Sequence, residues 1–257
     1  MKHFILSLLV AVATLFSTSA MADNMQQIER NVDDIKPFEK IEMKGSSEVI
    51  YTQGDHIGIT IKGPSDLVDL IEIEISNNTL FVSQKPDTQT HVVSSIKNLF
   101  STLKNGFEKE TVYPIIYVTS PDLIGVSLTG SGDFKCSNKL DTDRLEIELK
   151  GSGDIDFSDI ICDHLHAFLQ GSGDIDLKRV EAITTSYELK GSGDIDAKQQ
   201  RVRHTDIDLY GSGDIKVICT KCQQVDAKLT GSGDIDVYGD VETHTETVRG
   251  SGDIEFH

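Results

Sequence analysis

The chain has 257 residues, 24 of them basic and 42 acidic, for a formal net charge of −18. So acidic a surface repels nucleic acid and anionic lipid headgroups and favours cations or basic partners. Trp is absent and aromatic residues make up only 6%, which weighs against a sugar-binding surface built on aromatic platforms.

Met1-Lys2-His3 precedes an apolar run from Phe4 to Phe16, and Ala20-Met21-Ala22 follows with small residues at −3 and −1 of a cleavage site. Residues 1–22 are therefore expected to be a cleaved signal peptide, and Asp23 the mature N-terminus. The apolar run falls short of the roughly 20 residues a membrane span needs. No Cys follows the cleavage site, which argues against a lipoprotein. The expected product is a soluble periplasmic or secreted protein of a Gram-negative-type cell, with a formal charge of 23 − 42 = −19 once Lys2 is removed.

After a lead-in over 23–30, residues 31–257 read as one domain. Within it, 31–123 are expected to be opening coils of the structure that follows. Ile57 to Ile61 and Ile71 to Ile75 alternate apolar and polar residues as half-buried strands do. Asn77-Asn78 predicts a turn into a strand at Leu80–Val82. A further strand is expected at Ile115–Val118, ended by Pro121. Residues 85–111 break the pattern. Val92, Ile96, Phe100, Leu103 and Phe107 recur about every four residues, which predicts an amphipathic helix that covers an end or side of the domain. Docking to a membrane surface is the alternative, but Glu108 and Glu110 dilute Lys97, Lys104 and Lys109.

From Gly130 onward, Gly-Ser-Gly-Asp occurs seven times, starting at Gly130, Gly151, Gly171, Gly191, Gly211, Gly231 and Gly250. A fixed period near 20 implies one supersecondary unit stacked on its copies. Two residues before each motif stand Leu128, Leu149, Leu169, Leu189, Leu209, Leu229 and Val248. Just after each motif stand Phe134, Ile155, Ile175, Ile195, Ile215, Ile235 and Ile254. Apolar residues at alternate positions on both sides of the motif give two short strands per unit. The glycines make the corner between them, at Gly151, Gly153, Gly171, Gly173, Gly191, Gly193, Gly211, Gly213, Gly231 and Gly233. The fold expected is all-β, a right-handed parallel β-helix with ~20-residue coils about 4.8 Å apart, with the short helical insertion added. An antiparallel meander of hairpins is the alternative.

The repeats also carry an acidic ladder. The motif Asp is present in all seven units, as Asp133, Asp154, Asp174, Asp194, Asp214, Asp234 and Asp253, while two residues on the sequence drifts through Lys135, Asp156, Lys216 and Glu255. Stacked carboxylates about 4.8 Å apart repel by roughly 1 kcal/mol per pair in water. Something must offset that. One answer is structural, with each Asp accepting backbone N–H bonds at the corner. Another is Ca²⁺ bridging Asp154, Asp174, Asp194, Asp214 and Asp234. A basic partner is the third.

Other chemistry-bearing residues give weaker patterns. Cys219-Thr-Lys-Cys222 has CxxC spacing but falls in a return segment, so a local disulfide or two free thiols is expected. Cys136 and Cys162 read as small buried residues. His164, His204 and His244 recur every 40 residues, two coils apart, which is too far to share one metal ion. No nucleophile–base pair, phosphate loop or zinc signature occurs, so no catalytic residue and no cofactor is assigned.

The GSGDI repeats, preceded by Phe38-Glu-Lys-Ile-Glu-Met-Lys-Gly-Ser-Ser-Glu-Val-Ile50, resemble the bacterial GIN-domain family, labelled an auto-transporter adhesin head. The resemblance covers about residue 31 to the C-terminus and implies a β-helical envelope protein. No membrane barrel follows the last repeat, which departs from a complete autotransporter. The function expected is a non-enzymatic binding or interaction module for a protein or glycan at the cell envelope. The alternatives are a polysaccharide-lyase-like enzyme and a structural spacer. A lyase would need a base near the ladder, and Lys150, Lys190 and Arg249 lie across the corner without clustering.

Overall fold

The computed structural model describes residues 27–85 and 113–257. The expected signal peptide and nearly all of the expected helix at 85–111 lie outside the described residues. In chain order the first strands are β1 (Gln27–Asn31), β2 (Lys40–Gly45), β3 (Glu48–Gln53) and β4 (Gly58–Pro64). A four-residue helix, α1 (Ser65–Val68), leads to β5 (Ile71–Ser76), β6 (Thr79–Gln84), β7 (Ile115–Ser120) and β8 (Gly125–Gly130). The repeats then supply β9 (Asp133–Asp141), β10 (Arg144–Gly151), β11 (Asp154–Ile161), β12 (His164–Gly171), β13 (Asp174–Glu181) and β14 (Thr184–Gly191). They continue with β15 (Asp194–Gln200), β16 (His204–Gly211), β17 (Ile215–Gly231), β18 (Ile235–Gly250) and β19 (Ile254–Phe256).

The chain is a β-solenoid of about seven turns with ~20-residue coils. From β8 onward, each strand pairs in parallel with its equivalent one coil away. Before the corner, Leu149, Leu169, Leu189, Leu209 and Leu229 form one column of register partners. After the corner, Ile155, Ile175, Ile195, Ile215, Ile235 and Ile254 form another. Both columns point inward and are buried until the final coil. In the first coils the second wall is aromatic, with Tyr51 stacked on Phe134 at 6.3 Å and Phe134 against Phe157 at 5.3 Å. Alternation explains the rest, since the polar residues between these positions face solvent.

The first end departs from the expected opening coils. β2 and β3 are a true coil, joined at Gly45-Ser46-Ser47 and stacked on β8 and β9. Residues 54–84 are not coils. Asn77 and Asn78 take left-handed φ values of 51° and 59°, which reverse the chain, so β5 pairs antiparallel with β6. β4 pairs antiparallel with β7 and with β1. Only β6 and β7 run parallel to β2 and β3. They make an outermost half-turn.

At the other end no covering strand is present among the described residues. Along the second half of β18, His244, Glu246 and Val248 are register partners of the inward-facing Val225, Ala227 and Leu229. Among the described residues no coil lies above them, and Val248 is 44% exposed. His244 leaves the row of His164 and His204 and stacks on Phe256 at 4.0 Å, across the end of the core. The 19-residue final step moves it there.

Leu189 is fully buried in the middle of its column. Leu189→Ala is expected to lower unfolding stability by about 2–5 kcal/mol, measured by chemical denaturation. An unchanged midpoint would remove the column from the core.

Candidate functional site

The corner and the acidic ladder are built from the same few atoms. The carbonyl oxygen of Gly171 accepts the N–H of Ser192 at 2.8 Å and that of Gly193 at 3.2 Å. The next coils repeat this, with Ser212 and Gly213 on Gly191, and Ser232 and Gly233 on Gly211. The following N–H belongs to the Asp, and it goes to a side chain. Asp174 N donates to Asp154 Oδ1 at 3.3 Å, Asp194 N to Asp174 Oδ1 at 3.2 Å and Asp214 N to Asp194 Oδ1 at 3.0 Å. Asp234 N donates to Asp214 Oδ1 at 2.9 Å and Asp253 N to Asp234 Oδ1 at 3.0 Å. From Ser192 to Asp253 the N–H groups of Ser, Gly and Asp at each corner thus all have a partner in the preceding coil.

This close stacking leaves no room for a side chain. At Gly191 (φ +141°) a Cβ would collide with the Gly171 carbonyl oxygen. At Gly193 the φ lies outside the left-handed range, yet a Cβ would collide with the Gly173 oxygen just as hard. The first glycine of each corner is required by conformation and by space, the second by space alone.

Asp154, Asp174, Asp194, Asp214 and Asp234 are all exposed. Each commits Oδ1 to the next coil, and Oδ2 takes no partner among the described residues. Alongside runs the second acidic row. Burial, with Asp176 adding repulsion, pushes the carboxyls of Asp156 and Asp196 up, despite the opposing Lys178 and Lys216. Burial also raises Asp133, with Asp154 as the next cause. The basic residues across the corner are engaged elsewhere. Lys150 is ion-paired with Glu148, and Lys190 with Glu188 at 2.6 Å beneath the rings of Phe168 and Tyr210. Arg249 lies on the exposed second half of β18.

The thiols are buried. Burial pushes Cys136 up to about 11 and Cys162 up to about 12. Cys219 and Cys222 are both free and buried, and a mutual hydrogen bond, then burial, raises the Cys219 thiol. They border a polar cluster that the apolar columns conceal. Gln199, 2% exposed, occupies the inward column of Ile160 and Val180. Its Oε1 accepts hydrogen bonds from Thr185 at 2.9 Å and Tyr187 at 3.0 Å. Its Nε2 donates to Thr205 at 2.8 Å and to Cys219 Sγ at 3.3 Å. Reading the column Leu145, Leu165, Thr185, Thr205, Val225 down the repeats would have exposed the two threonines.

The family described as "Putative auto-transporter adhesin, head GIN domain" matches residues 37–241. No curated protein matches the chain. Among solved structures, a putative adhesin of Bacteroides fragilis is 29% identical, with a TM-score of 0.76 over 91% of this chain and 98% of its own. A putative lipid binding protein of Parabacteroides distasonis is 23% identical, with a TM-score of 0.69 over 90% of this chain and 96% of its own. A putative adhesin of the same species is 17% identical, at 0.65 over 90% and 97%. The last two share the fold. No helix among the described residues is long and apolar enough to cross a membrane.

Gly193→Ala adds one methyl group, yet it is expected to cost about 4 kcal/mol or more, the upper end for single substitutions. Asp194→Asn keeps the acceptor for Asp214 N–H and should cost little, whereas Asp194→Ala should cost on the order of 1 kcal/mol. Denaturant titration of the three variants checks the ordering. The pH response follows from Asp133, Asp156 and Asp196. Their folded-state affinity for protons exceeds the unfolded one, so stability should rise as pH falls from neutral through their raised folded pKa values, toward the ordinary carboxylate value near 4. Glu148, held down first by its Lys150 hydrogen bond, has the opposite sign and loses its contribution only as pH falls through its own lowered pKa. Melting temperature against pH, in wild type and in Asp156→Asn/Asp196→Asn, is the measurement. The double variant should show the flatter rise.

Proposed function

We propose that this chain, which belongs to the family described as "Putative auto-transporter adhesin, head GIN domain", is an exported, non-enzymatic binding module of the bacterial cell envelope. Its acidic sheet face holds a cationic protein surface. The observation behind this reading is the division of labour within the ladder. From Asp154 to Asp234, Oδ1 of each ladder Asp is committed to the fold, while Oδ2 takes no partner among the described residues, once per coil. A partner with several Lys or Arg side chains can engage such a row at many points, and avidity then accumulates without a deep pocket. Complementary charge also raises the rate of encounter. Export rests on the leader expected at Met1–Ala22. The lyase alternative draws no support, because Lys150 and Lys190 are tied to glutamates on the other side of the corner.

The test uses the full chain produced in a Gram-negative host. Mass spectrometry of the periplasmic and culture fractions should find a mature N-terminus at Asp23. The purified protein should then bind a poly-lysine surface at low salt. Replacing Asp154, Asp174, Asp194, Asp214 and Asp234 together by Asn should weaken that binding by about tenfold or more while the melting curve stays cooperative. Unprocessed protein confined to the cytoplasm would overturn the export reading. Equal binding by the folded fivefold variant would overturn the role of the ladder.

A further inference from the structure

The acidic ladder is not the only place where carboxylates meet in register. On the outer face of the first sheet, Asp206 and Asp226 are direct partners on adjacent parallel strands, and His204 stands two residues before Asp206 on the same face. His204 Nε2 lies 3.1 Å from Asp206 Oδ2 and 3.7 Å from Asp226 Oδ2. On the outer face of the second sheet the arrangement recurs in mirror order. Asp236 and Glu255 are register partners, and His257 stands two residues after Glu255. His257 Nε2 lies 3.1 Å from Asp236 Oδ1 and 3.3 Å from Glu255 Oε2. In each group one ligand atom from each of the three residues falls within 4.8 Å of the other two.

We infer that each of these triads is a binding site for a divalent transition-metal ion of the zinc class. Three separate features support the assignment. One is spacing. Ligands at 2.0–2.1 Å around a tetrahedral ion lie roughly 3.3 Å apart, and the imidazole-to-carboxylate distances fall on both sides of that value. Another is the donor set. One imidazole nitrogen and two carboxylate oxygens suit zinc, manganese or nickel, whereas calcium takes oxygen ligands alone. The last is support from behind. Asp226 is held by Thr245 Oγ1 at 2.7 Å on Oδ1, and by Gln224 Nε2 at 3.1 and 2.9 Å on its two oxygens. At the second site His257 is stacked on Tyr238 at 4.4 Å, which fixes the plane of its ring. Such outer partners orient metal ligands. Both triads are partly exposed, so three protein ligands leave a coordination position for water.

The site also answers an electrostatic question. Each triad sets two carboxylates side by side on neighbouring strands. A divalent ion would neutralise both at once.

Isothermal titration of the full chain with ZnCl₂, in chelator-treated buffer, tests this. Two equivalents should bind to wild type, one to His204→Ala, one to His257→Ala and none to the double variant. His164→Ala keeps the same outer row without a paired carboxylate and should still bind two. Thr245→Val should weaken only the His204 site, by about 10–100-fold, the usual effect of removing an outer partner. Equimolar Ca²⁺ should not displace the ion. The inference is overturned if wild type takes up no zinc, if the double variant binds as wild type does, or if Ca²⁺ competes equally. Circular dichroism of each variant confirms that the solenoid is intact, so lost binding reports on the site.

Discussion

The structure depends on how closely neighbouring coils approach at the corner. Elsewhere the strands keep ordinary sheet spacing, and side chains fill the space between the walls. At the corner the backbone of one coil lies against the backbone of the next, and one glycine carbonyl takes two N–H groups from the coil above. Only glycine permits this at both positions, because a Cβ would sit on a carbonyl oxygen of the preceding coil. The period follows from the same constraint. With each corner registered on the one before, the strands on both sides inherit that register, and both apolar columns align over the whole stack. A one-residue slip would turn every column outward.

Such a stack has a problem at its ends, because a parallel sheet offers unpaired edges there. The two ends solve it differently. At the first end the chain abandons the coil and lays antiparallel strands along both edges, β5 on one wall and β4 with β1 on the other. At the far end no such covering is present among the described residues. The imidazole of His244 lies against the ring of Phe256 over the last layer of core. That pair replaces an aliphatic layer with two flat rings, at the cost of leaving Val248 half in water.

Much of this was legible in the sequence, for a physical reason. Repetition multiplies a weak signal, and the inward positions of one unit are confirmed by the next. The leucine column, the isoleucine column and the glycine corner follow from alternation alone. Where the repeat stops, the legibility stops too. β4 to β6 were visible as strands, but the direction of their pairing was not, since alternation is the same in parallel and antiparallel strands. Gln199 was hidden because the return segment shifts register there, which turns a polar residue inward beside Thr185, Thr205 and Tyr187. The zinc-class triads were hidden because their members come from adjacent coils. His204 has Asp206 on its own strand and gains Asp226 through register with the next, whereas the 40-residue spacing of histidines sets them two coils apart, too far to share one ion.

The ladder shows why a repeat motif alone cannot separate scaffold from site. A carboxylate has two oxygens, and at the corner they have different duties. Oδ1 completes the backbone bonding of the next coil, which constrains the residue to a short side chain with an acceptor. Asn meets that constraint as well as Asp does. The constraint therefore explains the position of the acceptor without explaining the charge. Charge is costly here, because each carboxylate lies beside two others and the chain as a whole is strongly acidic. Five of the seven aspartates, Asp154, Asp174, Asp194, Asp214 and Asp234, accept such a bond, and asparagine would supply the same acceptor without the charge. The serine of the motif points the same way, since its backbone N–H serves the corner while its hydroxyl makes no hydrogen bond among the described residues. What the corner does not use faces solvent, repeated once per coil.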